Sequence, residues 1–392
     1  MNSLAVRILT GLATFIVGVA VATALVFNHK SPLIAPVSLT NNDRTLEMVF
    51  VLDTTGSMGG LIDGAKQRIW GIVNEVMQSS SHPSVKIGLV AYRDRGDEYV
   101  TQVLPLTEDL DKVYMTLMNY NAAGGGDGPE NVRRALADGL AKAGWSDGGQ
   151  NVARIIFLVG DAPPHDDYTD EQDTIVTAAL ARKQGMIVNT IQCGTAADTK
   201  QAWQTIAQYG HGQYFAIPQD GGVQTISTPY DKQISELGTK LGGSYMAYGG
   251  GAGEMGVQYR VEATRIADAT EKAVASNAPA EAQVQRSLNK AINAKGYVGD
   301  LLQDIENGST KLGSVKEEDL PSELRSLSPE DRTKEIERRL AERREIRKQI
   351  LELSKQRADY IGAEQKKRSG GTKNSFDLAV SSALKEQLQR KE

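Results

Sequence analysis

Short apolar runs alternate with amphipathic stretches from about residue 44 to 245, and this alternation restricts the fold more than any other feature of the chain. Leu46–Leu52 reads as a buried strand ending at Asp53, after which Ile62, Ala65, Ile69, Val73 and Val76 recur at helical spacing. Ile87–Tyr92 is a second strand run, and Tyr99–Leu106 is predicted as a third, on an edge. Val132, Leu136, Leu140 and Ala143 mark a helix before the strongest strand run, Ile155–Val159, which leads to Asp161. Helical Ile175–Leu180, strand Ile187–Ile191, helical Trp203–Ala207 and a short strand near Tyr214–Ile217 complete the series. The pattern predicts an α/β fold: a doubly wound, mostly parallel sheet covered on both faces.

The flanks differ. Ile8–Phe27 is 20 residues without a charge, about 30 Å of helix and enough to cross a bilayer core. A cleaved signal peptide has a shorter apolar region of about 7–15 residues. No small-x-small cleavage site stands between the run and Asn28-His29-Lys30. Residues 1–30 are therefore read as an uncleaved N-terminal transmembrane anchor, and 31–43 as a linker. A short N-terminal tail stays in the cytoplasm by default, which predicts a single-pass bacterial inner-membrane protein with its bulk in the periplasm. On this reading the α/β domain fills 44–246, followed by a Gly-rich linker over 247–260.

Beyond it, over 261–392, strand runs vanish and Ala, Glu, Lys and Arg dominate. Ser328-Pro329-Glu330-Asp331 is a helix start, with a capping serine, a proline in the first turn and acids at the positive end of the dipole. The helix is predicted to run to about Arg368. Ile346, Ile350, Leu353 and Tyr360 follow 3-4 spacing, whereas Arg339, Arg343 and Arg357 take other seam positions. That favours a solvated helix packing through one short patch over a sustained coiled coil, and leaves it a candidate for self-association.

Composition narrows the chemistry. One cysteine, Cys193, excludes a disulfide framework, and four scattered histidines argue against an imidazole metal site. A net charge of −5 gives no basic footprint, so no nucleic-acid partner is expected. A bound metal would have to be held by oxygen. Asp53-Thr54-Thr55-Gly56-Ser57-Met58 lies where a strand gives way to a helix, and Asp161 ends a later strand. In an open parallel sheet such loops share the ligand-binding edge. A third loop, Gly124-Gly125-Gly126-Asp127-Gly128-Pro129-Glu130, opens another helix. Asp53, Thr55, Ser57, Asp127 and Asp161 make an all-oxygen set suited to a hard cation, Mg²⁺ above all, with Mn²⁺ or Ca²⁺ as alternatives. Each residue alone could be a helix cap, including Asp127 for a helix with Pro129 at its first position. Their meeting on one sheet edge favours the cation.

The pattern Asp53-x-Thr55-x-Ser57, the Gly-rich loop, and Asp161 after an apolar strand together resemble the von Willebrand factor type A domain over about residues 44–245. In that family such residues form a metal-ion-dependent adhesion site. The resemblance implies that Thr55 and Ser57 ligate through hydroxyls, and Asp53 and Asp161 directly or through water. An acidic side chain of a partner protein would complete the shell. Thr55 stands where many members have Ser, and Asp127 is the nearest counterpart of a family Thr. As a third carboxylate Asp127 would weaken the ion's pull on an anionic partner; as a helix cap it would not. Val315–Pro321, the Ser-Pro-Glu-Asp start and Ser375–Ala379 resemble the tails of bacterial membrane-anchored proteins bearing this domain.

The function expected is a membrane-anchored, divalent-metal-dependent protein-binding or scaffolding module rather than an enzyme. The alternative is a metal-assisted hydrolase at the same oxygen site. It would need a base, for which His165, read as an exposed loop residue, is the nearby imidazole, and no Lys-Ser/Thr phosphate cradle follows the glycines. Arg95-Gly96-Asp97 spells an integrin-binding tripeptide but is read as part of a loop beside the metal edge, and Cys193 as a buried apolar residue. Trp70, Trp145 and Trp203 are read as packing, and Asn307-Gly-Ser309 as a sequon of consequence only in a eukaryotic secretory host.

Overall fold

The computed structural model describes residues 44–78, 83–126, 128–149, 151–222, 225–293, 299–367 and 376–389. Expectations that fall elsewhere, among them the Ile8–Phe27 anchor, the 31–43 linker and the position of Asp127, lie outside the described residues. Among the described residues no helix is long and apolar enough to cross a membrane.

The first half alternates as the apolar runs require: β1 (Thr45–Asp53), α1 (Gly59–Met77), β2 (Ser84–Tyr92), β3 (Thr101–Thr107), α2 (Leu110–Met118), α3 (Val132–Ala141), β4 (Val152–Gly160), α4 (Thr174–Lys183), β5 (Ile187–Cys193), α5 (Ala197–Tyr209) and β6 (His211–Ile217). The sheet runs β3-β2-β1-β4-β5-β6. All neighbours are parallel except β3, which pairs antiparallel with β2 at the edge. Buried on both faces, β1 sends Leu46, Met48, Phe50 and Leu52 into one core and Val49 and Val51 into the other. α3, α4 and α5 cover the second face and α1 and α2 the first. β1 and β4 both end at the same sheet edge, so Asp53 and Asp161 are neighbours.

Among the described residues seven further α-helices follow: α6 (Asp231–Gly242), α7 (Gly253–Asn277), α8 (Ala280–Ile292), α9 (Leu301–Glu306), α10 (Ser322–Arg325), α11 (Pro329–Lys367) and α12 (Phe376–Gln389). α7 begins at Gly253, inside the stretch read as a linker. The described residues form one compact unit in which these helices pack against the sheet domain. Asn74 of α1 donates to the Gln285 backbone carbonyl at 2.8 Å and accepts from Asn289 at 2.9 Å. Arg286 of α8 is buried between Asp111 and Glu271. α11 packs through more than the one short patch expected: Ile350 is buried with Ile346 and Leu353 against Ile234, Leu237 and Val284, and Ile336 and Leu340 are buried in a second cluster with Met246, Leu301 and Leu324. The arginines in its seam are buried ion pairs within the chain, Arg343 with Asp300 at 2.7 Å and Arg357 with Asp231 at 2.8 Å.

α12 completes the first face of the sheet. Ala379, Val380, Ala383 and Leu384 are buried in the core that holds Leu46 and Phe50. Asn189, wholly buried in β5, exchanges two amide hydrogen bonds with Gln387, at 3.1 and 2.7 Å. A buried amide without a partner is costly, so this pair fixes the register of α12 on the sheet.

Candidate functional site

The loop after β1 folds back on its own carboxylate. Thr55 donates to Asp53 Oδ1 twice, from its backbone N–H at 2.9 Å and from its hydroxyl at 2.6 Å. Thr55 Oγ1 stands 3.5 Å from Ser57 Oγ. Thr54 faces away: its hydroxyl bonds the Tyr92 carbonyl and the Tyr99 hydroxyl. Asp53 and Thr55 are buried and Ser57 is exposed, so the hydroxyls line a path from carboxylate to solvent. Asp161, partly exposed, accepts from Gln219 Nε2 at 2.5 Å, and the same amide nitrogen donates to the Ser57 carbonyl at 3.3 Å. Gly160 permits this packing, because a Cβ there would lie 2.5 Å from the Tyr92 hydroxyl and 3.1 Å from Asp53 Oδ2.

The Gly-rich loop lies against this turn through Gly56 N–H to the Gly124 carbonyl and Ala123 N–H to the Thr54 carbonyl. Asp53, Thr55, Ser57 and Asp161 are thus brought together, while Asp127 lies outside the described residues. The helix after the loop corrects one expectation. It starts at Val132, and Asn131, whose side chain accepts from Arg134 N–H at 3.0 Å, is its cap. Pro129 precedes the helix, so capping of its first turn is already supplied without Asp127.

Sequence reasoning missed two groups. Glu130 is 3% exposed, and its Oε2 is buried with no hydrogen-bond partner. It ends a Gly/Pro loop with no periodic pattern to mark it, and its N–H donates to the Pro163 carbonyl. Gln219 lies in the loop after β6 and carries no sequence signal of any kind. His165 is also corrected: it is buried, stacked on Tyr168 at 4.2 Å, with Nδ1 2.9 Å from Asp167 and Nε2 3.4 Å from Asp94. The Arg95-Gly96-Asp97 ends are both engaged internally. Arg95 covers the Tyr168 ring and pairs with Asp170 and Glu171, and Asp97 accepts from the Gly125 and Asp94 N–H groups.

The electrostatics are those of crowded anions. Burial pushes the Asp53 carboxyl up to about 7 against the pull of the Thr55 donors, and the Asp161 charge adds to the rise. Burial, then the charges of Asp53, Asp94, Asp97 and Asp161, push Glu130 up to about 9. Asp53 Oδ2, like Glu130 Oε2, is buried with no hydrogen-bond partner. Such atoms fit a site completed by a cation. Among the described residues no group of three or more His, Cys, Asp or Glu is gathered to hold a metal. A set of two carboxylates, Asp53 and Asp161, and two hydroxyls, Thr55 and Ser57, falls outside that pattern.

Residues 47–229 match the family model of the von Willebrand factor A domain. The chain carries a von Willebrand factor A domain. It is 38% identical over 197 residues to the rat von Willebrand factor A domain-containing protein 7, and 30% identical over 196 residues to the mouse protein. Each alignment covers 50% of this chain and 20% of the relative, so the chain matches about a fifth of these proteins' length. Among solved structures, proximal thread matrix protein 1 from the mussel byssus aligns with a TM-score of 0.34 at 13% identity, over 46% of this chain and 43% of that one. The SpRpn10 VWA domain aligns with a TM-score of 0.33 at 14% identity, over 45% and 88%.

Proposed function

We propose that this chain is a membrane-anchored, divalent-cation-dependent protein-binding module. Its von Willebrand factor A domain supports an interaction role, and the observation that carries the cation is the buried, partnerless Asp53 Oδ2 beside Asp161. Asp53, Thr55, Ser57 and Asp161 would hold the ion, with Asp127 as a fifth candidate. When bound, a divalent ion supplies an electrophilic coordination position that a partner's carboxylate can fill. Mg²⁺ suits this oxygen set best; Mn²⁺ and Ca²⁺ use the same donors.

The protein does the rest. Thr55 orients the Asp53 carboxylate, the buried loop excludes water behind it, and exposed Ser57 leaves the outer side open to a partner. The Ile8–Phe27 run is proposed as the anchor, with the domain on the periplasmic side of a bacterial inner membrane. The α6–α12 helices would serve as a scaffold attached to the binding domain.

The test is calorimetric titration of the full chain with Mg²⁺, followed by capture from membrane extract in Mg²⁺ or chelator. Mg²⁺ binding and chelator-sensitive captures that Asp53→Ala abolishes are expected. Captures indifferent to both chelator and substitution would overturn the proposal, and turnover of phosphoesters lost in the same variant would replace it with the hydrolase.

A further inference from the structure

A cavity of about 470 Å³ opens where the sheet domain meets the helical region, between α2, α7 and α11. It lies at the end of the sheet opposite Asp53. α2 follows Thr107 of β3, which pairs with Ile87 near the start of β2, whereas Asp53 ends β1. The volume is that of a pocket for a small organic molecule. Met115, Leu241, Ala263, Ile266 and Ala267 make its apolar wall, with Ile266 53% exposed. The polar groups divide into spent acceptors and free donors. Arg286 engages Asp111 and Glu271, Arg343 and two backbone N–H groups engage Asp300, and Asp109 caps α2. Among the described residues, however, Lys112 makes no ion pair and the Tyr245 hydroxyl no hydrogen bond. Burial pushes the Tyr245 hydroxyl up to about 12, so it keeps its proton to donate. Lys290 also lines the cavity, 5% exposed and paired with Glu271. Gly242 makes room for this pair, since a Cβ there would strike Lys290 Nζ and the Glu271 carboxyl. Burial, and then the Arg286 charge, pull the Lys290 amine down to about 8, so its ammonium gains from further negative charge.

We infer that this cavity is a second binding site, independent of the cation, for a small organic acid: a carboxylate carried on an aliphatic chain. Free donors beside an apolar wall call for a ligand that brings a charged acceptor and an apolar body. The carboxylate meets Lys112 and the Tyr245 hydroxyl, and the chain lies along Met115, Ile266 and Ala267. Because α2 belongs to the sheet domain and α7 and α11 to the helical region, a bound acid bridges the two.

The experiment is calorimetric titration of the full chain, held in nanodiscs, with octanoate, using empty nanodiscs as the blank. It is done in chelator, so that no carboxylate binds through a metal. Octanoate is expected to bind saturably and to raise the melting temperature. Octanamide, the same shape without the charge, should bind about 10-fold more weakly. Lys112→Ala, an exposed change that leaves the core intact, should lower octanoate affinity about 10-fold and leave octanamide at the parental value. Ala267→Trp fills the cavity and should abolish binding of both. No saturable octanoate binding by the parent overturns the proposal, and so does parental affinity in a folded Ala267→Trp. Equal affinities for octanoate and octanamide, or a ratio unchanged by Lys112→Ala, also overturn it, because the cavity would then be an apolar crevice with no preference for acids. Should Ala267→Trp not fold, Ile266→Glu takes its place: it sets a negative charge at a half-exposed position of the wall and should weaken octanoate about 10-fold.

Discussion

Thr55 holds only one oxygen of Asp53, donating to Oδ1 at 2.6 Å from its hydroxyl while Oδ2 is buried with no hydrogen bond. The side chain two residues on therefore sets the direction in which the free oxygen points. Thr55→Val keeps the shape and removes the hydroxyl. It should cost about 1 kcal/mol of stability in urea denaturation and weaken Mg²⁺ binding about 10-fold or more. Unchanged Mg²⁺ affinity in a folded Thr55→Val would show that the hydroxyl only braces the loop.

Gln219 engages Asp161 from the exposed side, at 2.5 Å. Its amide must release that oxygen before the carboxylate can turn fully to a cation. Gln219→Ala should tighten Mg²⁺ binding by several-fold, by removing a competing bond of about 1 kcal/mol. Weaker binding in this variant would mean that Gln219 orients Asp161 productively.

The pH dependence follows from the buried carboxyls. Asp53 titrates near 7 in the folded, cation-free protein against 3.8 for an ordinary aspartate. The folded state thus holds this proton more tightly. The group costs no stability below about pH 4, progressively more from there to pH 7, and about 4 kcal/mol above it. Glu130, at about 9, extends the decline to about pH 9. In chelator the melting temperature should fall between pH 5 and 9, and stabilisation by saturating Mg²⁺ should grow over the same interval. Melts at three pH values in each condition check this, and a flat Mg²⁺ increment would contradict it.

The amide pair Asn189–Gln387 predicts energetic coupling between residues 198 positions apart. A double-mutant cycle with Asn189→Ala and Gln387→Ala should give a coupling of about 1 kcal/mol or more. Leu384→Ala, which empties a core position, should cost about 2–5 kcal/mol. Independent, additive effects of the two amide substitutions would mean that α12 is only loosely seated.

Arg286 should be among the least replaceable residues of the helical region, because it is buried and shared by Asp111 and Glu271. Arg286→Ala strands Asp111, while Glu271 keeps Lys290 as a partner, and should cost about 3 kcal/mol in urea denaturation. A loss below about 1 kcal/mol would show that water replaces the guanidinium.

Strands were legible where their side chains are buried on both sides, because continuous apolar runs such as Ile155–Val159 have few other uses. The edge strand was legible too, with its ends shifted by a residue or two. α2 escaped notice, since Leu110, Val113 and Leu117 give a stripe of barely two turns. Asp53, Thr55, Ser57 and Asp161 could be read because they sit at strand ends, where topology brings distant residues together. Glu130 and Gln219 could not, because one is buried and the other placed by loop closure, which leaves no periodic trace. The arginines of α11 misled in a useful way: spaced as if to break a seam, Arg343 and Arg357 lie within it, each neutralised by an acid far away in sequence.

Placing α12 in the sheet core has a consequence for synthesis. The strand order is complete by Ile217, yet Asn189 meets its amide partner only at Gln387. While the intervening 169 residues are being made, one side of the nascent domain exposes the apolar surface that Val380, Ala383 and Leu384 will cover. The chain therefore passes through a stage in which the loops around Asp53 and Asp161 exist on an unfinished sheet. Translation must reach the last helix before the sheet it began with is closed.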